Sequence, residues 1–115
     1  KQEELIKPAA AADYYQIGTG FGKVAHNLDM AIVYLKKAID TDPKVELYYE
    51  DLGVAYGLSG KFDDAIATSE KLIQLNPKYP AAYMNLAVSY RNKGNKQLAD
   101  QYQAKYQEVV AANKK

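Results

Sequence analysis

Apolar residues along this chain recur at intervals of three and four. Tyr49, Leu52 and Tyr56 are spaced three and then four apart, which puts them on one face of a helix. Gly60 interrupts that stretch. A second begins at Lys61-Phe62-Asp63-Asp64 and carries Phe62, Ala65, Ile66, Leu72 and Ile73 inward. Asn76-Pro77 ends it, because proline has no amide hydrogen to donate and disfavours helix in the residue before it. The same succession of helical stretch and breaker predicts six helices, over about 10–25, 28–41, 44–59, 62–75, 78–93 and 96–112. No period-two alternation competes with it, so no strand is predicted.

The pattern repeats. A shift of 34 positions brings Tyr49 onto Tyr83, Leu52 onto Leu86, Gly53 onto Ala87, Tyr56 onto Tyr90, Gly60 onto Gly94 and Ala65 onto Ala99. Ala31 and Pro43 precede Ala65 and Pro77 by the same 34, whereas Tyr14, Ile17, Gly18 and Phe21 precede their counterparts by 35. The first copy therefore carries one extra residue between Phe21 and Ala31. Three copies follow, at roughly 11–45, 46–79 and 80–113, in a single domain spanning 1–115, with 1–10 as a lead-in or the stub of a preceding segment. One helix pair cannot bury its own apolar face, so stability has to come from stacking the three.

These residues resemble the tetratricopeptide repeat, which reads W-x2-L-G-x2-Y, then A-x3-F, then a closing Pro. The second copy matches with Tyr49, Leu52, Gly53, Tyr56, Ala65 and Pro77; the third with Tyr83, Leu86, Ala87, Tyr90 and Ala99; the first with Tyr14, Ile17, Gly18, Phe21, Ala31, Leu35 and Pro43. Ser69 and Gln103 depart from it, standing where the family carries a large residue. The resemblance implies an all-α fold, a right-handed α-solenoid of three antiparallel helix pairs. Small residues at Gly18, Gly53 and Ala87 then allow each pair to approach closely, and the in-phase aromatics fill the space between pairs. Tyr56 and Tyr90 are expected to bury their rings with the hydroxyls at the rim. Tyr15, Tyr34, Tyr48 and Tyr79 lie outside the motif and are expected to be free for surface contact.

The family also implies a concave groove, lined by the first helix of each pair, that holds an extended or helical peptide. The partner-binding residues carried over are Tyr15 and Thr19; Leu47, Glu50, Asp51 and Val54; and Met84, Asn85, Val88 and Arg91, with Gly22, Lys23, Leu58, Ala81 and Asn92 beside them. Members that grip the C-terminal carboxylates of chaperones use Lys, Asn and Arg in the groove. The matching places here hold Tyr15, Thr19, Asp51, Ala81 and Asn85, and Asp51 would repel a carboxylate, so that specificity is not expected.

Charge adds a polarity to this picture. Fifteen Lys and Arg against 14 Asp and Glu give a net of +1, which argues against non-specific nucleic-acid binding. Yet residues 46–79 hold six acids and three bases, and residues 80–115 two acids and six bases. The groove would have an acidic wall at Glu50 and Asp51 and a basic wall at Arg91. The same asymmetry suggests a competing reading, a structural scaffold in which the acidic middle copy of one chain meets the basic last copy of the next.

Chemistry is sparse. There is no Cys and a single His, so neither a zinc site nor a His-dependent relay is expected. Gly18-Thr19-Gly20-Phe21-Gly22-Lys23 is not a phosphate loop, since the glycine spacing, the following Val24 and the absence of a strand all fail. Gly20 and Gly22 should weaken the end of the first helix. Asp40-Thr41-Asp42-Pro43 lacks the glycine of a calcium loop. No catalytic group, cofactor or metal is expected, nor a membrane-inserted segment; the partner is a protein or peptide. The sequence starts at Lys1, which leaves localisation unassigned.

Overall fold

The computed structural model describes residues 10–23 and 26–115. It contains six helices: α1 (Ala11–Lys23), α2 (Leu28–Thr41), α3 (Glu46–Leu58), α4 (Phe62–Leu75), α5 (Pro80–Asn92) and α6 (Lys96–Asn113). There is no strand among the described residues. The helices pair in chain order and the pairs stack, giving an all-α helical repeat solenoid. The predicted lead-in at 1–9 and the predicted end of the first helix at 24–25 lie outside the described residues.

Each pair is closed by the same turn. Gly60 and Gly94 take positive φ, and the following amides, Lys61 and Asn95, donate to the Tyr56 and Tyr90 carbonyls at 2.9 and 2.8 Å. In the first copy Asn27 donates to the Phe21 carbonyl at 2.8 Å across a loop one residue longer. There His26, at φ 51, takes the left-handed place that glycine holds in the other two copies. Asn27 and Asn95 then cap α2 and α6 through their side chains, accepting from the Met30 and Leu98 amides, while Lys61 gives α4 no side-chain cap.

The joints between pairs also recur. The Tyr49 hydroxyl donates to the Pro43 carbonyl at 2.8 Å, and the Tyr83 hydroxyl to the Pro77 carbonyl at 2.7 Å. Each fixes the incoming helix to the loop that delivers it. The core follows the repeat. Leu52 and Ala55 pack on Ile32 and Leu35, with Ile39 and Tyr56 against them; Tyr49, Leu72 and Ala82 form the next cluster, with Ile73 and Tyr79 at its edge. The rings of Tyr56 and Tyr90 are half-buried, and Tyr90 stacks on Tyr102 at 5.7 Å. Helix α1 continues through Gly20 and Gly22 to Lys23.

Candidate functional site

Helices α1, α3 and α5 present one face, and two clefts open on it. The first lies between α1 and α3 and measures about 400 Å³. Its floor is small and apolar, built from Gly18, Ala31, Leu35 and Ala55, and its mouth carries Tyr15, Thr19, Leu47 and Asp51. The second, between α3 and α5, measures about 380 Å³ and has a more polar lining of Gly53, Asn85, Ser89 and Asn92 beside Phe62 and Val88. Val54 and Leu58 line both. Helix α3 is therefore the ridge between them. Leu47, Val54 and Val88 are each more than two-fifths exposed, and Leu58 is 70% exposed. These apolar side chains stand in water beside open clefts.

The carboxylates on this face are already engaged by phenols, one from the first repeat and one from the loop that leads into α5. The Tyr15 hydroxyl donates to Asp51 Oδ2 at 2.5 Å, and the Tyr79 hydroxyl donates to Glu50 Oε1. Both phenols are pushed well above the usual tyrosine range, first by burial and then by the carboxylate that accepts the bond. The first bond ties the middle repeat to the first; the second holds α3 to the residue just before α5, at the end of the middle repeat. Below the second cleft, Ser69 Oγ and Asn85 Nδ2 are buried and have no hydrogen-bond partner. A Cβ added at Gly53 would meet Asn85 Nδ2 at 3.3 Å and Ser69 Oγ at 3.5 Å, so the two atoms flank the same glycine.

Two family models, both described as tetratricopeptide repeat, match residues 47–79 and 68–101. The first is in phase with the second copy; the second starts within α4 and ends in α6, because a stacked array offers the same neighbours in either phase. This chain is a tetratricopeptide-repeat protein. No curated protein sequence matches it. A crystal structure of MamA superposes on 95% of this chain with a TM-score of 0.87 and 28% identity. The chain spans 63% of that MamA chain. YrrB, described as a TPR protein with an unusual peptide-binding site, superposes on 94% of this chain and 59% of its own (TM-score 0.83, 20% identity). The second TPR of Spaghetti (RPAP3), bound to the HSP90 peptide SRMEEVD, superposes on 86% and 91% (TM-score 0.79, 21% identity). At such identities the last two share the fold.

Within this tetratricopeptide-repeat frame, Tyr15, Thr19, Leu47, Asp51 and Val54 come together at the first cleft, and Val54, Asn85 and Val88 at the second. Glu50 is turned to Tyr79, and Met84 lines neither cleft. Arg91 does not form a basic wall. Its guanidinium reaches α6, to Gln103 Oε1 at 3.1 Å and Asp100 Oδ1 at 3.5 Å. Three of the tyrosines outside the motif are packed against other rings. Tyr48 is buried and stacks on Tyr15 at 5.1 Å, and Tyr34 stacks on Phe21 at 5.8 Å. Tyr79 is held by its bond to Glu50. Among the described residues no group of three or more His, Cys, Asp or Glu could hold a metal ion, and no helix is long and apolar enough to cross a membrane.

Proposed function

We propose that the protein binds a peptide or partner segment on the face formed by α1, α3 and α5, and that it does so without catalysis. One observation carries this reading: the exposed stripe Leu47, Val54, Leu58 and Val88 borders two open clefts of similar size that meet along α3. Clefts of this volume admit side chains, and the stripe supplies area to bury. That other proteins of this fold are described with peptides or a peptide-binding site is consistent with it. The ligand chemistry differs from that of the HSP90 peptide. An acidic segment such as SRMEEVD would meet Asp51 in the first cleft, with Arg91 drawn away to α6.

A peptide-array screen of the wild-type protein beside Val54→Glu and Val88→Glu variants tests the reading. Both residues are exposed, so helicity should be preserved. Peptides that bind the wild type should lose at least tenfold in affinity on both variants. Peptides that bind all three proteins equally would place recognition elsewhere.

A further inference from the structure

The three copies put Gln16, Asp51 and Asn85 at matching places, two amides and one carboxylate. The difference falls in the clefts. Asp51 lines the first, whereas the second has Asn85 and no charged side chain in its lining. We propose that the first cleft binds a small organic cation, a primary ammonium carried on a short alkyl or aryl body. The site goes beyond peptide recognition and does not rest on it, since the cleft and its carboxylate stand whether or not a peptide binds the same face.

The charge is available. Asp51 is half-buried and gives Oδ2 to the Tyr15 hydroxyl, while Oδ1 accepts no hydrogen bond from the described residues. Among the described residues no Lys or Arg forms an ion pair with it. The carboxylate is also held in place, because the Tyr15 ring that fixes it stacks on Tyr48 at 5.1 Å. An acceptor ordered in advance costs a ligand little to engage. A neutral ligand seated over it would strip its water and return nothing, whereas an ammonium returns a charge-assisted bond. One free oxygen suits an ammonium better than a guanidinium, whose fork needs two.

The body follows from the rest of the lining. Gly18, Ala31, Leu35 and Ala55 make an apolar floor, and a cleft of about 400 Å³ lies in the range of small-molecule pockets. The Thr19 hydroxyl, another polar group in the lining, is spent on the Gln16 carbonyl at 3.2 Å. Lys23 also lines the cleft, eight residues after Tyr15 and about 12 Å further along the helix axis. It sets a limit, because a second ammonium at the far end of the ligand would meet a like charge. The site therefore selects a ligand with one positive charge and an apolar remainder.

Amide NMR titrations at neutral pH test the site with n-hexylamine, n-hexanol and the hexyl diamine. Hexylamine should bind with shifts centred on Gly18, Gly22 and Asp51, n-hexanol at least tenfold more weakly, and the diamine more weakly than hexylamine. Asp51→Asn keeps the shape and an acceptor for Tyr15; it should weaken hexylamine about tenfold and leave n-hexanol unchanged. Equal binding of hexylamine and n-hexanol, or an Asp51→Asn variant that holds hexylamine as tightly as the wild type, would overturn the cation. A diamine as tight as hexylamine would overturn the limit of one charge. Shifts that never saturate, or that centre outside the first cleft, would overturn the site. N-acetyl-lysine methylamide separates a free amine from the lysine side chain of a partner. Hexylamine should bind more tightly than this derivative, and the reverse order would assign the cleft to a partner's side chain instead.

Discussion

The two joints of the solenoid are built from equivalent positions and differ in what fills them. At the first, Gly18 lies under Leu35, and Leu35 packs on Leu52 and Ala55 across the repeat boundary. At the second, Ser69 stands where Leu35 stands, Ser89 replaces Ala55 and Asn85 replaces Asp51. Ser69 is 1% exposed, yet its hydroxyl has no partner, and neither has the Asn85 amide nitrogen beside it. Buried polar atoms without partners forfeit hydration and return nothing. One joint closes on apolar side chains; the other holds two buried polar atoms without partners. A shared backbone pattern therefore does not imply shared energetics: the second joint has more to gain from a ligand or a substitution that satisfies it.

Truncation should separate the joints most sharply. Leu35→Ala removes a side chain 2% exposed and should cost about 3 kcal/mol in chemical denaturation. Ser69→Ala, at the matching position, should be neutral or stabilising by up to about 1 kcal/mol, since it deletes an unpaired hydroxyl. A loss at Ser69 comparable to that at Leu35 would mean that the two joints are alike.

The glycines offer the next contrast. A Cβ at Gly18 would meet the Ala31 carbonyl oxygen and the Leu35 amide nitrogen at 3.2 Å, so backbone would have to move. At Gly53 the neighbours are a side-chain amide and a hydroxyl. Gly18→Ala should lower stability by about 1 kcal/mol net, while Gly53→Ala should hold or raise it through helix propensity.

The tyrosine bonds give a smaller, pH-dependent effect at both joints. Tyr15 and Tyr79 have raised phenol pKa values in the fold, whereas in the unfolded chain they ionise near 10. Their contribution is complete below about pH 10 and is lost as pH rises above it toward the folded-state values. Denaturant midpoints between about pH 8 and 12 should fall less for a Tyr15→Phe, Tyr79→Phe double variant than for the wild type. Identical slopes would show that these bonds do not couple to folding.

The helices and their order were legible because Pro43, Pro77, Gly60 and Gly94 punctuate the chain and the apolar spacing survives in every copy. Most predicted helix ends fall within about two residues of those observed. The extra residue of the first copy was placed between Phe21 and Ala31, and it falls in the longer turn that ends at His26 and Asn27. What escaped were partnerships of long side chains. Tyr15 finds Asp51 across a repeat boundary and Tyr79 finds Glu50 within the middle repeat, 36 and 29 residues apart, and Arg91 reaches α6. Periodicity shows which face a residue occupies and carries no information about where a phenol or guanidinium at the end of it turns. Tyr48 was missed for a related reason. It sits one place before a motif residue, where the third copy buries Ala82 as well, and its ring stacks on Tyr15.

Ile17 is 43% exposed, while its counterparts Leu52 and Leu86 are 5% and 0% exposed beneath the preceding pair. At the opposite extremity, α6 offers water Gln103 and Gln107 where α2 and α4 have Leu35 and Ile39, Ser69 and Ile73. Along the described residues the stacking face thus passes from an apolar side chain at Ile17 to the amides of Gln103 and Gln107.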